Sequence, residues 1–514
     1  HLRAYFLQKL VILAAPAQVL CMSPMPRRRW PDIFWSRDYN ASVVSRAASA
    51  GEVSRIARGI YVRAALDARA VVGRNWQRIL AREFPGALVA DASARWLAPR
   101  DGRLFVVHPR RGTLDLPGLR IEPREGPGPL PTDHAMPEGI YFSSDARGLL
   151  DNLAEPSERL LAREDLERWI EQLASRRDGI EYLNKERDEA RSIAGSIRRR
   201  TAFEQLESVI RATLATGPAK GLRTRALQSR AAGKPIDELR LARVEALARH
   251  LEGQAPDPIL ASPGLAGQRA LLPFYEAYFS NYIEGTEFTL DEAAAIVFEQ
   301  RIPPQRPEDA HDVFSTYRLV NDPSWLARTP ATSEEFVDLV LERHEILMAA
   351  RPDNDPGRFR EIDVHAGGTP FSPWPSIEGT LLRGFAAGGR ISEPFARAVF
   401  VHFLVAEVHP FADGNGRSAR MAMNAELSAA SEVRIVIPTG YRNDYLSGLA
   451  AATGDAFGPM IRILNFARRW TVEMDFSSRK VAEDLLERTN ALTDPIVAIR
   501  DGIKLKLPSR LDFT

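Results

Sequence analysis

The densest run of chemically capable side chains is Val408-His-Pro-Phe-Ala-Asp-Gly-Asn-Gly-Arg-Ser-Ala-Arg420. Gly414-Asn-Gly416 is turn chemistry placed just before apolar periodicity resumes, so it reads as a turn opening a helix over 417–430. Two glycines permit positive φ and close approach, which lets successive backbone N–H groups point into one concavity. The helix N-terminus behind them adds partial positive charge, and the result suits an anion of phosphate size. Arg417 and Arg420 are three apart on the first turn, so both guanidinium groups can reach one phosphate chain. Asp413 offers the hard oxygen that Mg²⁺ takes when it bridges phosphates. His409, just ahead of the turn, can accept a proton from an incoming hydroxyl. Base, metal ligand, anion nest and paired arginines within one short stretch are what nucleotidyl transfer requires. Singly, each piece has a structural reading: a packed histidine, an ordinary turn, a solvated arginine face.

Together these residues reproduce His-x-Phe-x-Asp/Glu-Gly-Asn-Gly-Arg-x-x-Arg, and the stretch resembles the Fic family with no departure inside the motif. The resemblance covers about residues 268–470. It implies an all-helical core that transfers AMP from ATP to a protein hydroxyl, the reaction called AMPylation or adenylylation. On that template His409 is the general base and Asp413 holds Mg²⁺, while Gly414, Asn415 and Gly416 cradle the phosphates. Arg417 and Arg420 bind the outer phosphate oxygens, and Phe411 is an inward hydrophobic anchor. The implied partners are ATP and a Ser, Thr or Tyr hydroxyl of a protein, this chain included. The intact Gly-Asn-Gly-Arg turn favours the family's usual nucleotide orientation.

Several elements must position that motif. An apolar-periodic helix is expected over 392–407, with Ser392 as cap and Pro394 in the first turn. Ile362–Pro375 breaks the helical pattern and reads as a β-hairpin or a plain loop. The resemblance makes it the flap whose strand edge holds the target segment by backbone pairing, with Gly367, Gly368 and Thr369 at its centre. Tyr441 and Tyr445 flank Arg442 ahead of a helix. Family members place aromatic groups there against adenine, so Tyr445 is a candidate ATP contact, with core packing as the competing reading. Residues 268–283 read as a helix stopping at Gly285, and Thr289-Leu-Asp-Glu292 is a capping box opening the next helix. Ser280 and Glu284 share a face of the first of these. Ser280-Asn-Tyr-Ile-Glu284-Gly285 resembles the inhibitory motif Ser/Thr-x-x-x-Glu-Gly/Asn of autoinhibited Fic proteins. The resemblance implies that Glu284 pairs with Arg420 and keeps ATP out of the productive pose.

The amino-terminal part has a different character: residues 22–150 hold 20 Arg, no Lys and 13 Asp plus Glu. Residues 40–63 read as a helix, a glycine stop and a hairpin Val53–Val62 turning at Arg58-Gly59, the layout of a recognition helix and wing. Arg46, Arg55, Arg58 and Arg63 would form the positive face that phosphates attract. This segment resembles the N-terminal module of AbiEi-type antitoxins and transcriptional regulators, and Gly139–Asp151 is similar to their second segment. The resemblance implies duplex DNA as a partner; winged helices also serve protein contacts, and both uses stay open.

At 514 residues the chain is expected to hold two or three domains. A hydrophobic fraction of 45%, a charged fraction of 26% and a net charge of +1 exclude a mostly disordered, collagen-like or coiled-coil chain, and overall charge selects no partner. One cysteine, Cys21, excludes a disulfide framework and a cysteine-rich zinc site and fits a reducing compartment, the cytoplasm by default. No apolar run approaches the roughly 18 residues needed to span a bilayer, so no membrane role is expected. Residues 1–24 read as a start-site extension or disordered segment, with Met22 or Met25 as the natural start. The expected fold is mainly α: a mixed α/β region at 25–150, connecting helices at 151–252, a linker at 253–267, the Fic-like core at 268–475, and a C-terminal helix and tail at 476–514. The functional expectation is an autoinhibited protein adenylyltransferase with a DNA- or protein-binding module, with homodimerisation among its contacts. The alternatives are a DNA-binding, antitoxin-like regulator whose core senses nucleotide, and an enzyme removing AMP from a modified protein at the same site.

Overall fold

The computed structural model describes residues 30–154, 157–176, 178–252, 257–261, 266–366 and 369–511. Cys21, Met22, Met25, Gly367 and Gly368 lie outside the described residues. The chain forms two compact units, one of residues up to 151 together with 157–160, the other of the remainder. The fold is mainly helical, and β structure is concentrated in the amino-terminal unit.

That unit holds two sheets. Strand Ile33–Trp35 pairs antiparallel with Ile60–Arg63, which pairs in turn with Val53–Ala57. Alternation sets the register: Ile60 and Val62 are buried on one face, while on the other Tyr61 packs on Phe34 and Arg63 is half-buried. Helix Ala41–Ser49 starts at Asn40, whose side chain accepts from the Ser42 N–H, and Gly51 and Gly59 take positive φ at the helix stop and the hairpin turn. Between the first strand and this helix stands only a 3₁₀ turn, Ser36–Asp38. A helix-turn-helix needs a second helix there, so among the described residues that pair is incomplete. A six-stranded mixed sheet follows, in the order 114–116, 119–124, 103–107, 88–89, 141–142, 134–135. Helix Ala68–Glu83 buries Val71, Val72, Ile79 and Leu80 in a core shared with Ile33, Trp35, Leu104 and Ile121.

In the second unit, helix Pro394–Val408 is apolar on all sides and almost wholly buried. It packs along Asn415–Ala429, and Glu238–Leu251 and Ile377–Ala387 cover its other faces. Pro394 opens it with Glu393 as the capping position and no side-chain cap bond, so Ser392 does not cap it. Helix Leu272–Ile283 ends with Gly285 at φ +93, and the Thr289–Glu292 capping box forms with both hydrogen bonds present. Helix Glu238–Leu251 puts Val244, Leu247, Ala248 and Leu251 into the same core as Phe395 and Phe400. Residues 257–261 are tied in as well, through a bridge from Leu260 to Glu432. Connecting helix and linker therefore contribute to the body that carries the motif. No described helix is long and apolar enough to cross a membrane.

Candidate active site

Helix Pro394–Val408 ends on His409, which is left-handed at φ +56 while its N–H still bonds the Val405 carbonyl at 3.0 Å. That conformation throws the following residues inward. Phe411 is fully buried, with the His344 ring stacked on it at 3.6 Å and parallel within 1°. Asn415 staples the loop: its Oδ1 accepts from the Phe411 N–H and its Nδ2 donates to the Phe411 carbonyl, both at 2.9 Å. The Asn415 side chain is thus spent inside the turn, and only its backbone N–H is left for a ligand.

Helix Ser333–Met348 supplies the floor beneath the turn. His344 Nδ1 accepts from the Gly357 N–H at 3.1 Å, so Nε2 carries the proton and donates to the Asp413 carbonyl at 3.0 Å. Burial pushes its pKa down to about 4, which keeps it neutral in that tautomer. A Cβ on Gly414, which sits at φ +76, would stand 3.0 Å from Met348 Sδ and 3.3 Å from His344 Cδ2. Backbone conformation and space both demand glycine there. Helix Asn415–Ala429 begins immediately after, two residues earlier than the spacing suggests, because Gly414 itself is the capping residue. The N–H groups of Asn415, Gly416 and Arg417 open that helix and meet no acceptor among the described residues. They are the donors that the anion-nest reading of this turn calls for.

The His409 imidazole stacks on Phe371 at 3.8 Å, and its Nδ1 faces the Ala406 carbonyl at 3.4 Å. A carbonyl only accepts, so this contact puts the proton on Nδ1 and leaves the Nε2 lone pair free. Burial lowers its pKa to about 4; the Ala406 carbonyl and Glu284 oppose the fall, and Arg360 and Arg240 reinforce it. At neutral pH the group is a base in its unprotonated form.

The two motif arginines part company. Arg420 Nε donates to Ser280 Oγ at 3.0 Å, and its Nη2 donates to the Ser280 carbonyl at 2.8 Å and to Glu284 Oε1 at 2.7 Å. The same carboxylate lies against the nest: a Cβ on Gly416 would fall 2.2 Å from Glu284 Oε1. Burial pulls the Arg420 pKa down, but Glu284 and Tyr445 more than offset it and hold it above its ordinary value. On the inner side of Arg420, the Tyr445 hydroxyl accepts from Nη1 at 3.5 Å and donates to His402 Nε2 at 2.8 Å. Burial and Arg420 push the His402 pKa to about 3, so it stays an acceptor. Tyr445 is therefore packed behind Arg420. Arg417 is buried, with Nη1 paired to Asp312 Oδ2 at 2.9 Å and Nη2 3.5 Å from Asp413 Oδ2. Asp312 in turn pairs with Arg351 at 3.0 Å. In this geometry Arg420 lies under the Glu284 carboxylate, while Arg417 braces the turn from within the core.

The Asp413 side chain is 45% exposed at the mouth of the nest, and its Oδ1 accepts from the Gly414 N–H at 2.6 Å. Among the described residues no cluster of three or more His, Cys, Asp and Glu is gathered to hold a metal. Mg²⁺ needs no such cage where one carboxylate and substrate phosphates complete its shell, so the half-exposed Asp413 carboxylate beside an open helix N-terminus fits that ion. The hairpin forms as His365–Ala366 paired with Thr369–Pro370, leaving Thr369 exposed, with Gly367 and Gly368 outside the described residues. In the amino-terminal unit Arg46, Arg55 and Arg58 are exposed, whereas Arg63 pairs with Asp32 at 2.5 Å. Sequence reading missed His344, Asp312, Arg351 and His402. A histidine on an apolar helix face was the one signal present for His344 and His402, and it is a weak one.

Residues 335–427 match the Fic/DOC family model. A protein adenylyltransferase Fic from Nematostella vectensis is 28% identical over 228 residues, covering 43% of this chain and 53% of that protein. Protein adenylyltransferase fic-1 from Caenorhabditis elegans is 25% identical over 228 residues, 41% of this chain and 42% of its own length. The chain thus spans about half the length, or less, of these curated relatives. Among solved structures, Fic-1 from C. elegans aligns over 67% of this chain and 100% of that one, at 21% identity and a TM-score of 0.34.

Proposed function

We propose that this chain transfers AMP from ATP to a hydroxyl group of a protein and that Glu284 restrains the reaction. One observation carries the reading: a neutral imidazole with a free Nε2, an open helix N-terminus and a buried arginine engaged by a carboxylate meet at one turn. In the proposed reaction the phosphate oxygens accept from the N–H groups of Asn415, Gly416 and Arg417. Arg420, once released by Glu284, donates to the outer phosphate and sets the α-phosphorus in line with the incoming oxygen. As that oxygen attacks, its proton passes to His409 Nε2, the α–β phosphoanhydride bond breaks, and pyrophosphate departs. Asp413 would hold Mg²⁺ together with phosphate oxygens, and the ion, when bound, would supply neutralising positive charge to the phosphates. The relatives' name, protein adenylyltransferase, supports the same chemistry.

The test is labelling of the full-length chain and a cell lysate with α-labelled ATP, read by gel and by intact mass. His409→Ala removes the base but leaves the nest and Arg420, so label should vanish while calorimetric ATP affinity stays within a few-fold. Label persisting in that variant refutes the base assignment.

For the amino-terminal unit we propose duplex DNA as the partner. Arg46 on the helix and Arg55 and Arg58 on the hairpin are solvent-facing, the placement a phosphate backbone needs.

A further inference from the structure

One buried guanidinium joins the base to the hairpin. Arg360 lies just ahead of the hairpin, and its side chain is 0% exposed. Its Nε donates to the His409 carbonyl at 2.9 Å, its Nη1 to the Ile362 carbonyl and its Nη2 to the Ser372 carbonyl, each at 2.6 Å. Residues 362 and 372 bracket the paired strands, so the three bonds link both sides of the hairpin base to the backbone of the catalytic histidine. The Arg360 N–H adds a fourth tie, to the Pro410 carbonyl at 3.1 Å. Its nearest carboxylate, on Asp363, is 4.0 Å away and 61% exposed. A cation buried almost entirely on carbonyl dipoles is an expensive way to fill space, since an apolar side chain fills the same volume without desolvating a charge. Phe371, beside Ser372, carries the His409 ring on its face. From the opposite side, Arg240 bonds the Pro370 carbonyl and pairs with Glu407, two residues ahead of His409.

We propose that Arg360 is a positioning residue for the transfer: it locks the backbone of His409 to both sides of the hairpin base, so that a hydroxyl held along the hairpin edge lies within hydrogen-bond distance of Nε2. The inference rests on the adenylyl-transfer reading above. The charged groups facing the imidazole are Arg360, Arg240 and Glu284, with the Ala406 carbonyl on Nδ1 and the Phe371 ring on its face. Two substitutions separate geometry from charge. Arg360→Lys keeps a cation, but one ammonium cannot span three carbonyls; Arg360→Gln removes the cation as well.

The experiment uses full-length protein carrying Glu284→Gly as parent, with α-labelled ATP for transfer, calorimetry for ATP affinity and long-range ¹H–¹⁵N NMR for the His409 titration. Both variants should bind ATP within a few-fold of the parent and lose about 100-fold in transfer, the scale of a base displaced by an ångström. In Arg360→Gln the His409 midpoint should rise above that of the parent, because a positive neighbour is gone, while burial and Arg240 still hold it below the ordinary 6.5. In Arg360→Lys it should stay low although transfer is lost. Parent-like transfer in folded variants, ATP affinity falling in step with transfer, or an unmoved midpoint in Arg360→Gln would each overturn the proposal. Should Arg360→Gln fail to fold, the transfer rate of Arg360→Lys decides alone. A parent that takes no label at all defeats the transfer reading, and with it the positioning role that rests on it.

Discussion

Replacing Glu284 should raise the rate of AMP transfer, and the geometry sets by how much. The carboxylate accepts one charge-assisted hydrogen bond, from Arg420 Nη2 at 2.7 Å, and its side chain is 26% exposed. Such a bond contributes about 1.5–3 kcal/mol when well buried, and partial exposure argues for the lower half of that range. The carboxylate also lies against Gly416 in the first turn of the motif helix, where an anion gains about 0.3–1 kcal/mol. A total of about 2–3 kcal/mol corresponds to roughly 30- to 150-fold in occupancy of the released state. Ser280 keeps two bonds to Arg420 after the substitution, so the guanidinium stays aimed while its outer edge becomes available. Glu284→Gly should therefore activate by about that factor. Glu284→Gln, which loses the carboxylate charge but still accepts from the Arg420 guanidinium and still lies on Gly416, should activate less. Glu284→Ala controls for the backbone freedom that two adjacent glycines would bring to this helix end. The assay is initial-rate labelling from α-labelled ATP at saturating nucleotide, with each variant repeated in a His409→Ala background. Equal rates for wild type and Glu284→Gly, or a faster Glu284→Gln than Glu284→Gly, would refute the reasoning.

Acid should weaken the fold before most carboxylates titrate. His344, His402 and His409 have folded pKa values lowered by burial to between about 3 and about 4, against 6.5 when unfolded. The unfolded chain then binds more protons below pH 6.5, so the stability these groups contribute is complete above that pH and is lost as pH falls from 6.5 towards 4. Melting curves between pH 7 and 5 should show a steady fall in Tm; a flat profile would mean the three rings are accessible to protons in the folded state. Duplex DNA should bind the full-length chain with a steep salt dependence, measured by fluorescence anisotropy, and removing Arg46, Arg55 and Arg58 together should reduce the slope by roughly one per lost phosphate contact. An unchanged slope would turn the amino-terminal unit towards a protein partner.

Local spacing made the motif turn legible. Gly414 must be glycine by both φ and space, the helix behind it opens as the glycines demand, and Gly285 and the Thr289–Glu292 box stop and start helices through contacts within a few residues. The Ser280–Glu284 pairing with Arg420 was readable only through family resemblance, because 140 residues separate Ser280 from its partner. The i, i+3 spacing of Arg417 and Arg420 put both side chains on the same turn but could not say where each guanidinium ends. Asp312, on another helix, claims the first, and Ser280 with Glu284 claims the second. His344 beneath the turn and His402 behind Tyr445 leave only the weak trace of a histidine on an apolar helix face, and Arg360 between His409 and the hairpin leaves none. Each satisfies a buried polar group on an element distant in sequence, and burial imposes that pairing only once the helices have packed. Sequence determined the chemistry available and the turns that hold it, because those depend on φ, ψ and neighbours one helical turn away. Packing alone decided which charges are spent on one another and which are left for a ligand, because the cost of a buried charge exists only where water has been excluded.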